Sequence, residues 1–437
     1  MAVSRVWFVV SVAVPFVTTL ALAITLAHNF ATLSVYDEGV HFDYVVKLLT
    51  TGRLPHAGDV MSPETLKEIS CRGTVWLTKL QCANPITDAQ APLGGINYVL
   101  MYGPVYYGLV AAIAGPLHAI TGISLLLASR VATGILFSAG AALIAAALLR
   151  LRVRPLIVIA VTMLVAATPA LLFQGSTVTP DSMCLLAGGA GLFVATLRFS
   201  WRTRLLIAAG VALLIALTKP NFVPLASITV LLAAIFPVHE TGSSGRAQWF
   251  DLGIRRVAAA IALALLPLVA AFGWNAWRTS YLAPGTRADG GLNDMLHTDR
   301  SLLSLLSEGV RILTSPFTNG SYTNSGTMLA ASTIVQFVFI GGAIALSIVG
   351  AAHPRSPRRT LAIFSVAALA LTVVYLPVTF YVLYHSTGTQ SRYAMPLTPM
   401  FAAAVATSLD SRRAVQIILL AAAVLYWIGS LSTVVRL

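Results

Sequence analysis

Long apolar runs alternate with short polar breaks along almost the whole chain. They fall at about 6–28, 98–117, 124–149, 155–173, 182–198, 204–218, 222–237, 257–277, 329–350, 360–383, 393–409 and 414–434. Runs of about twenty residues suit helices crossing about 30 Å of hydrocarbon, whereas membrane barrels show alternation over about ten. The pattern predicts an all-α polytopic membrane protein.

The breaks that hold several arginines are Arg150/Arg152/Arg154, Arg198/Arg202/Arg204, Arg246/Arg255/Arg256, Arg355/Arg358/Arg359 and Arg412/Arg413. Basic connections stay on the cytoplasmic side. If every run crossed, the cluster around Arg152 would share a side with the long 29–97 segment, and each later cluster would lie outside. One run must therefore fail to cross. The weakest is 98–117, interrupted by Gly103-Pro104 and Gly115-Pro116 and carrying Tyr98, Tyr102, Tyr106 and Tyr107, aromatics of the kind favoured at an interface. It is placed as a re-entrant or interfacial segment on the outer face.

About 11 crossings remain, with the N-terminus cytoplasmic and the C-terminus extracytoplasmic. The expected organisation is a first transmembrane helix (1–28), an extracytoplasmic loop with juxtamembrane helices (29–123), transmembrane helices 2–7 (124–277), a second extracytoplasmic loop (278–328) and transmembrane helices 8–11 (329–437). The first run is read as an uncleaved helix, being longer than a signal-peptide core and lacking a clear cleavage site.

Composition agrees with this picture. Of 437 residues 57% are hydrophobic and 10% charged, with a mean hydropathy of +0.83. Soluble chains carry roughly a quarter charged residues, so a soluble enzyme, a disordered tail and a secreted disulfide scaffold are excluded as whole-chain readings. The net charge of +13 invites a nucleic-acid partner. However, Arg5 and the five clusters put 15 basic residues inside against Glu240, Asp251 and Asp410, while 13 basic and 12 acidic residues remain outside. Orientation accounts for the excess, and no nucleic acid is implied. An excess of 24 Arg over four Lys fits a GC-rich bacterial genome, hence a bacterial inner membrane.

Polar chemistry collects in the outer segments. Tyr36-Asp37-Glu38-Gly39-Val40-His41-Phe42-Asp43-Tyr44 follows the first run directly. As a helix it would bring Asp37, His41 and Tyr44 to one face, and a half-desolvated carboxylate there could act as a general base. An equal alternative is that the two acids only mark a helix start, where the dipole favours them. Thr179-Pro180-Asp181 makes a good helix start by itself, yet Asp181 lies on the same side as Asp37. Lys219, in Thr218-Lys219-Pro220-Asn221, ends a run of about fourteen apolar residues, roughly 21 Å long and short of the hydrocarbon core. It is either a buried functional cation or a snorkelling one. Arg392-Tyr393 could bind phosphate oxygens or anchor at the interface.

Cys71 and Cys82 share the first outer loop and are expected to form a disulfide, while Cys184 reads as an apolar filler. Asp37, Glu38, His41 and Asp43 could host a divalent ion, although their spacing defines none. Arg287, Asp289, Asp294, His297, Asp299 and Tyr322 could shape an acceptor site. No nucleotide-binding glycine loop or zinc-binding His-Glu-x-x-His is present.

Asp37-Glu38 with His41-Phe42, Gln90-Ala91-Pro92-Leu93, Thr179-Pro180-Asp181, Lys219-Pro220 and Gln390-Ser391-Arg392-Tyr393 occur in an order that resembles GT-C type membrane glycosyltransferases. The chain also resembles a bacterial branch of predicted membrane proteins. The resemblance implies transfer of a sugar from a polyprenyl-phosphate donor to a lipid or cell-wall glycan acceptor outside the cytoplasm, with membrane lipids as surroundings. It puts Asp37 at the catalytic-base position with Glu38 beside it, and Lys219, Arg392 and Tyr393 at the donor phosphate. His41, Asp43, Asp181, Gln90 and Tyr102 would line the acceptor cavity. Gln90-Ala91-Pro92 replaces the more usual His-Pro-Pro, which argues against a His-dependent role there, and no large soluble domain follows the last run, which points to a small or lipid-linked acceptor or to a partner protein that presents it. The rival expectations are a transporter or flippase of lipid-linked glycan, disfavoured by the lack of internal repeats, and a non-catalytic subunit.

Overall fold

The computed structural model describes residues 4–35, 37–73, 82–235, 254–282, 304, 307, 309, 326–349, 357–384, 391–409 and 412–435. Most of the second outer loop, including Arg287, Asp289, Asp294, His297, Asp299 and Tyr322, lies outside the described residues, as do Tyr36 and Gln390. The described chain is helical, with a single isolated β-bridge, Val60 to Ile96, and no strand.

The helices are α1 (Arg5–Asn29), α2 (Glu38–Thr51), α3 (Pro63–Arg72), α4 (Val105–Thr121), α5 (Leu125–Arg150), α6 (Pro155–Ala166), α7 (Pro169–Gly175), α8 (Cys184–Ala195), α9 (Trp201–Ala216), α10 (Val223–Ile235) and α11 (Ile254–Thr279). After the second loop come α12 (Gly326–Gln336), a π-helical turn (Phe337–Gly341), α13 (Gly342–Val349), α14 (Pro357–Tyr384), α15 (Thr398–Ala406) and α16 (Arg413–Val435). Local chemistry sets many of their starts. Ser4, Ser62, Ser124 and Ser200 each accept a first-turn N–H, and Pro63, Pro155 and Pro169 open helices where no N–H is needed.

Among the described residues six helical stretches are long and apolar enough to cross a membrane: Arg5–Asn29, Leu125–Arg150, Ile254–Thr279, Gly326–Ile348, Thr360–Thr379 and Arg413–Val435. The pair α6 and α7 makes a seventh if counted as one span, but it bends by 75°. Pro169 causes the break: it lacks the N–H a continuing helix would use and drives Thr168 into an extended conformation. The run at 98–117 divides at Gly103-Pro104 as expected. At Gly115-Pro116 the expectation fails, because α4 continues through Pro116.

Helices α5 and α8 lie at the centre, while α1, α11 and α16 turn large apolar side chains such as Val17, Ile24, Leu265, Val269, Ile418 and Leu425 outward. The two ends of the bundle differ chemically. At one end Arg150 donates to the Thr196 carbonyl, Arg204 to Ala233 at 2.6 Å and Arg256 to Ala234, so guanidinium groups satisfy the last carbonyls of α8 and α10. At the opposite end, α8, α10 and α15 begin. Each is led in by a 3-10 turn, Pro180–Met183, Pro220–Phe222 and Ser391–Leu397 respectively, and the last of these packs against the other two. Above them sit α2, α3 and the Pro92–Met101 turns, joined by the Cys71–Cys82 disulfide, whose Cα atoms are 4.3 Å apart.

Two glycines allow this docking. A Cβ at Gly103 would collide with the Leu217 carbonyl at the end of α9, and one at Gly188 with the Pro396 carbonyl. Only a hydrogen in place of a side chain lets the loop seat on α9 and the Ser391–Leu397 turn seat on α8.

Candidate functional site

Asp37 precedes α2 with φ 62° and ψ 25°, in the left-handed region that only a few non-glycine residues, aspartate among them, tolerate. An aspartate before a helix usually turns its carboxylate onto the first free N–H groups. This one makes no such bond. Its Oδ1 instead accepts from the Tyr98 hydroxyl at 2.6 Å, its Oδ2 stands 4.0 Å from Arg392 Nη2, and its side chain remains 38% exposed. The carboxylate is therefore not spent on a capping hydrogen bond, although it stands at the helix start where the dipole favours it.

Below it the chain folds polar groups into the interior. Thr179 Oγ1 accepts from Asp181 N at 3.4 Å and Pro180 opens the 3-10 turn, so the predicted helix start forms. Asp181 is also buried among cations: Oδ1 accepts from Lys219 Nζ at 2.7 Å, and Oδ2 lies 3.1 Å from Arg392 Nε. Lys219 occupies the gap between α9 and α10. Pro220 holds it extended (φ −156°, ψ 135°), and its ammonium lies 5.7 Å from the Tyr102 ring centre and 4.6 Å from that of Tyr393. Arg392 stacks over Tyr393 at 5.5 Å. Snorkelling is thus ruled out for Lys219, which is 2% exposed. Asp37, Asp181, Lys219 and Arg392, drawn from four distant stretches, form one chain of charges that begins at the surface and ends in the core.

The other predicted residues divide. Glu38 is fully buried, and its oxygens accept from Arg130 Nε and Nη2 at 2.8 Å each, from Ser34 N at 2.7 Å and from Val178 N at 2.9 Å. Arg130 also donates to the carbonyls of Ala27, Phe30 and Thr32. This clasp ties the exit of α1, the start of α2, α5 and the segment before Asp181 together, so Glu38 shapes the site from behind instead of facing it.

Asp43 accepts from Asn97 Nδ2 at 2.7 Å and Ser62 N at 2.6 Å, with Lys47 3.7 Å away, and holds the outer loop to α2. Gln90 bonds back to Thr87 in a capping box and stays at the exposed loop, apart from the charge chain. His41 and Tyr102 do join the site. His41 Nδ1 lies 2.8 Å from the Tyr107 hydroxyl and its ring 5.9 Å from Tyr102. Burial, then Lys219 and Arg392, hold its pKa well below 6.5, so the imidazole is neutral at physiological pH.

Glu38, Asp43 and His41 thus face different partners, and the four residues considered for a divalent ion share no coordination point. Among the described residues no group of three His, Cys, Asp or Glu side chains is arranged to hold a metal. Sequence reading missed Arg130, Asn97 and the contact of Tyr98 with Asp37. Arg130 did carry a signal, since it is an isolated arginine inside the apolar run 124–149, far from every basic cluster.

Several apolar helices around a buried ionic cluster define an integral, all-α membrane protein. The chain belongs to the DUF2142 family of predicted membrane proteins, which it matches over residues 20–401, a stretch that contains Asp37, Asp181, Lys219 and Arg392. Among curated proteins none matches it.

Proposed function

We propose that the protein is a membrane glycosyltransferase of GT-C type, moving a sugar from a polyprenyl-phosphate donor to an acceptor outside the cytoplasm. The observation that carries this reading is the joining of an accessible carboxylate, Asp37, to two buried cations, Lys219 and Arg392. Buried charge is costly and contributes little to stability by itself, so a surface-connected cluster at helix starts is best explained by chemistry. Three helix N-termini also meet there, each favouring an anion.

In this mechanism Asp37 takes the acceptor's hydroxyl proton as the acceptor oxygen attacks the anomeric carbon. The bond from that carbon to the phosphate oxygen breaks, and Lys219 and Arg392 hold the charge left on the lipid phosphate. Asp181 pre-positions both cations. A single displacement inverts the anomeric centre.

The reading includes eleven crossings in a bacterial inner membrane. With their lead-in turns α8, α10 and α15 each span sixteen residues, or roughly 24 Å, and count as short crossings that start below the outer surface. The arginine end would face the cytoplasm and the site the outside; residues 105–121 would stay on the outer face.

One observation favours a carrier of lipid-linked glycan: the broken span α6–α7 and the interrupted starts of α8 and α10 resemble the discontinuous helices of transporters. Purified protein in vesicles, given a radiolabelled polyprenyl-phosphate sugar and membrane acceptor, separates the two. Transferase activity releases label from the donor, whereas a carrier moves intact donor between leaflets. Asp37→Asn, which keeps a residue tolerant of the left-handed turn, should lower transfer at least about 100-fold with no change in unfolding temperature. Full transfer by that variant would end the assignment of Asp37.

A further inference from the structure

The hydroxyl of Tyr98 occupies the place where a substrate hydroxyl would sit. It donates to Asp37 Oδ1 at 2.6 Å, the distance a general base adopts before it takes a proton. The other oxygen of Asp37 faces Arg392. A donor that approaches Oδ1 along the direction of the Tyr98 hydroxyl must displace it, while the Asp37 side chain as a whole is 38% exposed.

The backbone beneath Tyr98 is fastened on both sides. Asn97 N donates to the Asp59 carbonyl at 2.9 Å, and its side chain donates to Asp43 Oδ2 at 2.7 Å and to the Val40 carbonyl at 2.9 Å. Beyond Tyr98, Arg278 donates to the Leu100 carbonyl and Trp274 to those of Met101 and Tyr102, each at 3.1 Å for the tryptophan. Within the proposal, release of Asp37 is a rotation of the Tyr98 side chain on a fastened backbone. Burial, followed by the charge and hydrogen bond of Asp37, raises the Tyr98 pKa well above 10, so the phenol stays a donor throughout the physiological range.

We infer that Tyr98 is a displaceable guard of Asp37, yielding its place to an acceptor hydroxyl held by the cavity but not to water. The occupation of Oδ1 by the Tyr98 hydroxyl is the structural observation; the distinction between acceptor and water rests on the transferase reading. Unguarded, Asp37 would take a proton from water as the water oxygen adds to the anomeric carbon and the bond to phosphate oxygen breaks, releasing free sugar and polyprenyl phosphate. A tyrosine at this position would protect a scarce lipid donor from hydrolysis.

Tyr98→Phe removes the hydroxyl and keeps the ring. Two measurements on the purified full-length protein test the guard. In the first, carbodiimide and methylamine label carboxylates, and peptide mass spectrometry gives the rate at Asp37 relative to Asp59, which is similarly exposed at 40%. Labelling of Asp37 should rise at least about fivefold while that of Asp59 holds. An unchanged rate at Asp37, or an equal rise at both, overturns the guard. In the second, a radiolabelled polyprenyl-phosphate sugar is supplied with and without acceptor membranes, and the ratio of transfer to hydrolysis should fall at least tenfold. Faster labelling with an unchanged ratio in an active protein overturns the inference while leaving the transferase reading in place. If wild type and variant both leave the donor intact, the transferase reading fails, and labelling alone decides whether Tyr98 shields Asp37.

Discussion

Replacing Arg130 by Met should be among the most damaging single changes in the outer half of the bundle. The guanidinium makes two charge-assisted bonds to Glu38 and three to main-chain carbonyls of the α1 exit, with 2% of the side chain exposed. Methionine fills much of the volume but leaves a buried carboxylate with only the Ser34 and Val178 N–H groups. Breaking a buried ion pair by removing one partner costs about 3–5 kcal/mol. Glu38→Gln is milder, at about 2–3 kcal/mol, because Arg130 keeps its three carbonyls and one side-chain oxygen of the two it now bonds. The double variant should cost no more than Arg130→Met alone, which gives a coupling energy of about 2–3 kcal/mol. Denaturant titrations of the four proteins in one detergent, followed by tryptophan fluorescence, measure this cycle. Single-variant losses under about 1 kcal/mol, or additive losses in the double variant, would refute the clasp.

Lys219→Met should weaken binding of the polyprenyl-phosphate donor about 10- to 100-fold, because it removes one of two cations and leaves Asp181 to Arg392; a filter assay with labelled donor reads it. Acid should destabilise the protein through His41. Its folded pKa lies below the unfolded value of 6.5, so the unfolded chain binds the proton first: the stabilisation is complete above pH 6.5 and declines as pH falls, by at most about 1.4 kcal/mol per unit. His41→Phe should flatten the part of that decline seen in unfolding temperature between pH 6.5 and 5. Reducing the Cys71–Cys82 disulfide frees a short loop and should cost about 2–3 kcal/mol in outer-loop stability, visible as earlier proteolysis between α3 and residue 85.

The helical class and most helix limits were legible because apolar runs in a membrane protein are long and their breaks polar: the run at 124–149 became Leu125–Arg150, and 414–434 became Arg413–Val435. Proline was harder to read. Pro169 breaks a span while Pro15, Pro116, Pro267 and Pro377 sit inside continuing helices, so the presence of a proline alone does not locate a break.

In the site, Lys219 was legible from the shortness of its run, which left too few residues to bring it to the surface. The pairing of Asp181 with Lys219 and Arg392, and of Asp37 with Arg392, was not, since no local period relates residues so far apart in sequence. Glu38 was misread for a related reason. Its acidic neighbour suggested a shared task, but consecutive residues at a helix start point in different directions, and Glu38 turns inward to an arginine 92 positions away.

The arginine-capped end of the bundle links two properties that are usually engineered separately. Reversing a membrane protein's insertion calls for moving basic residues from one flank to the other, and here Arg150, Arg204 and Arg256 are the natural ones to move. Yet the same guanidinium groups hold the carbonyls of Thr196, Ala233 and Ala234. Relocating them would strip the terminal peptide groups of α8 and α10 of their donors, so a flipped variant should emerge from the insertion machinery already weakened in the bundle.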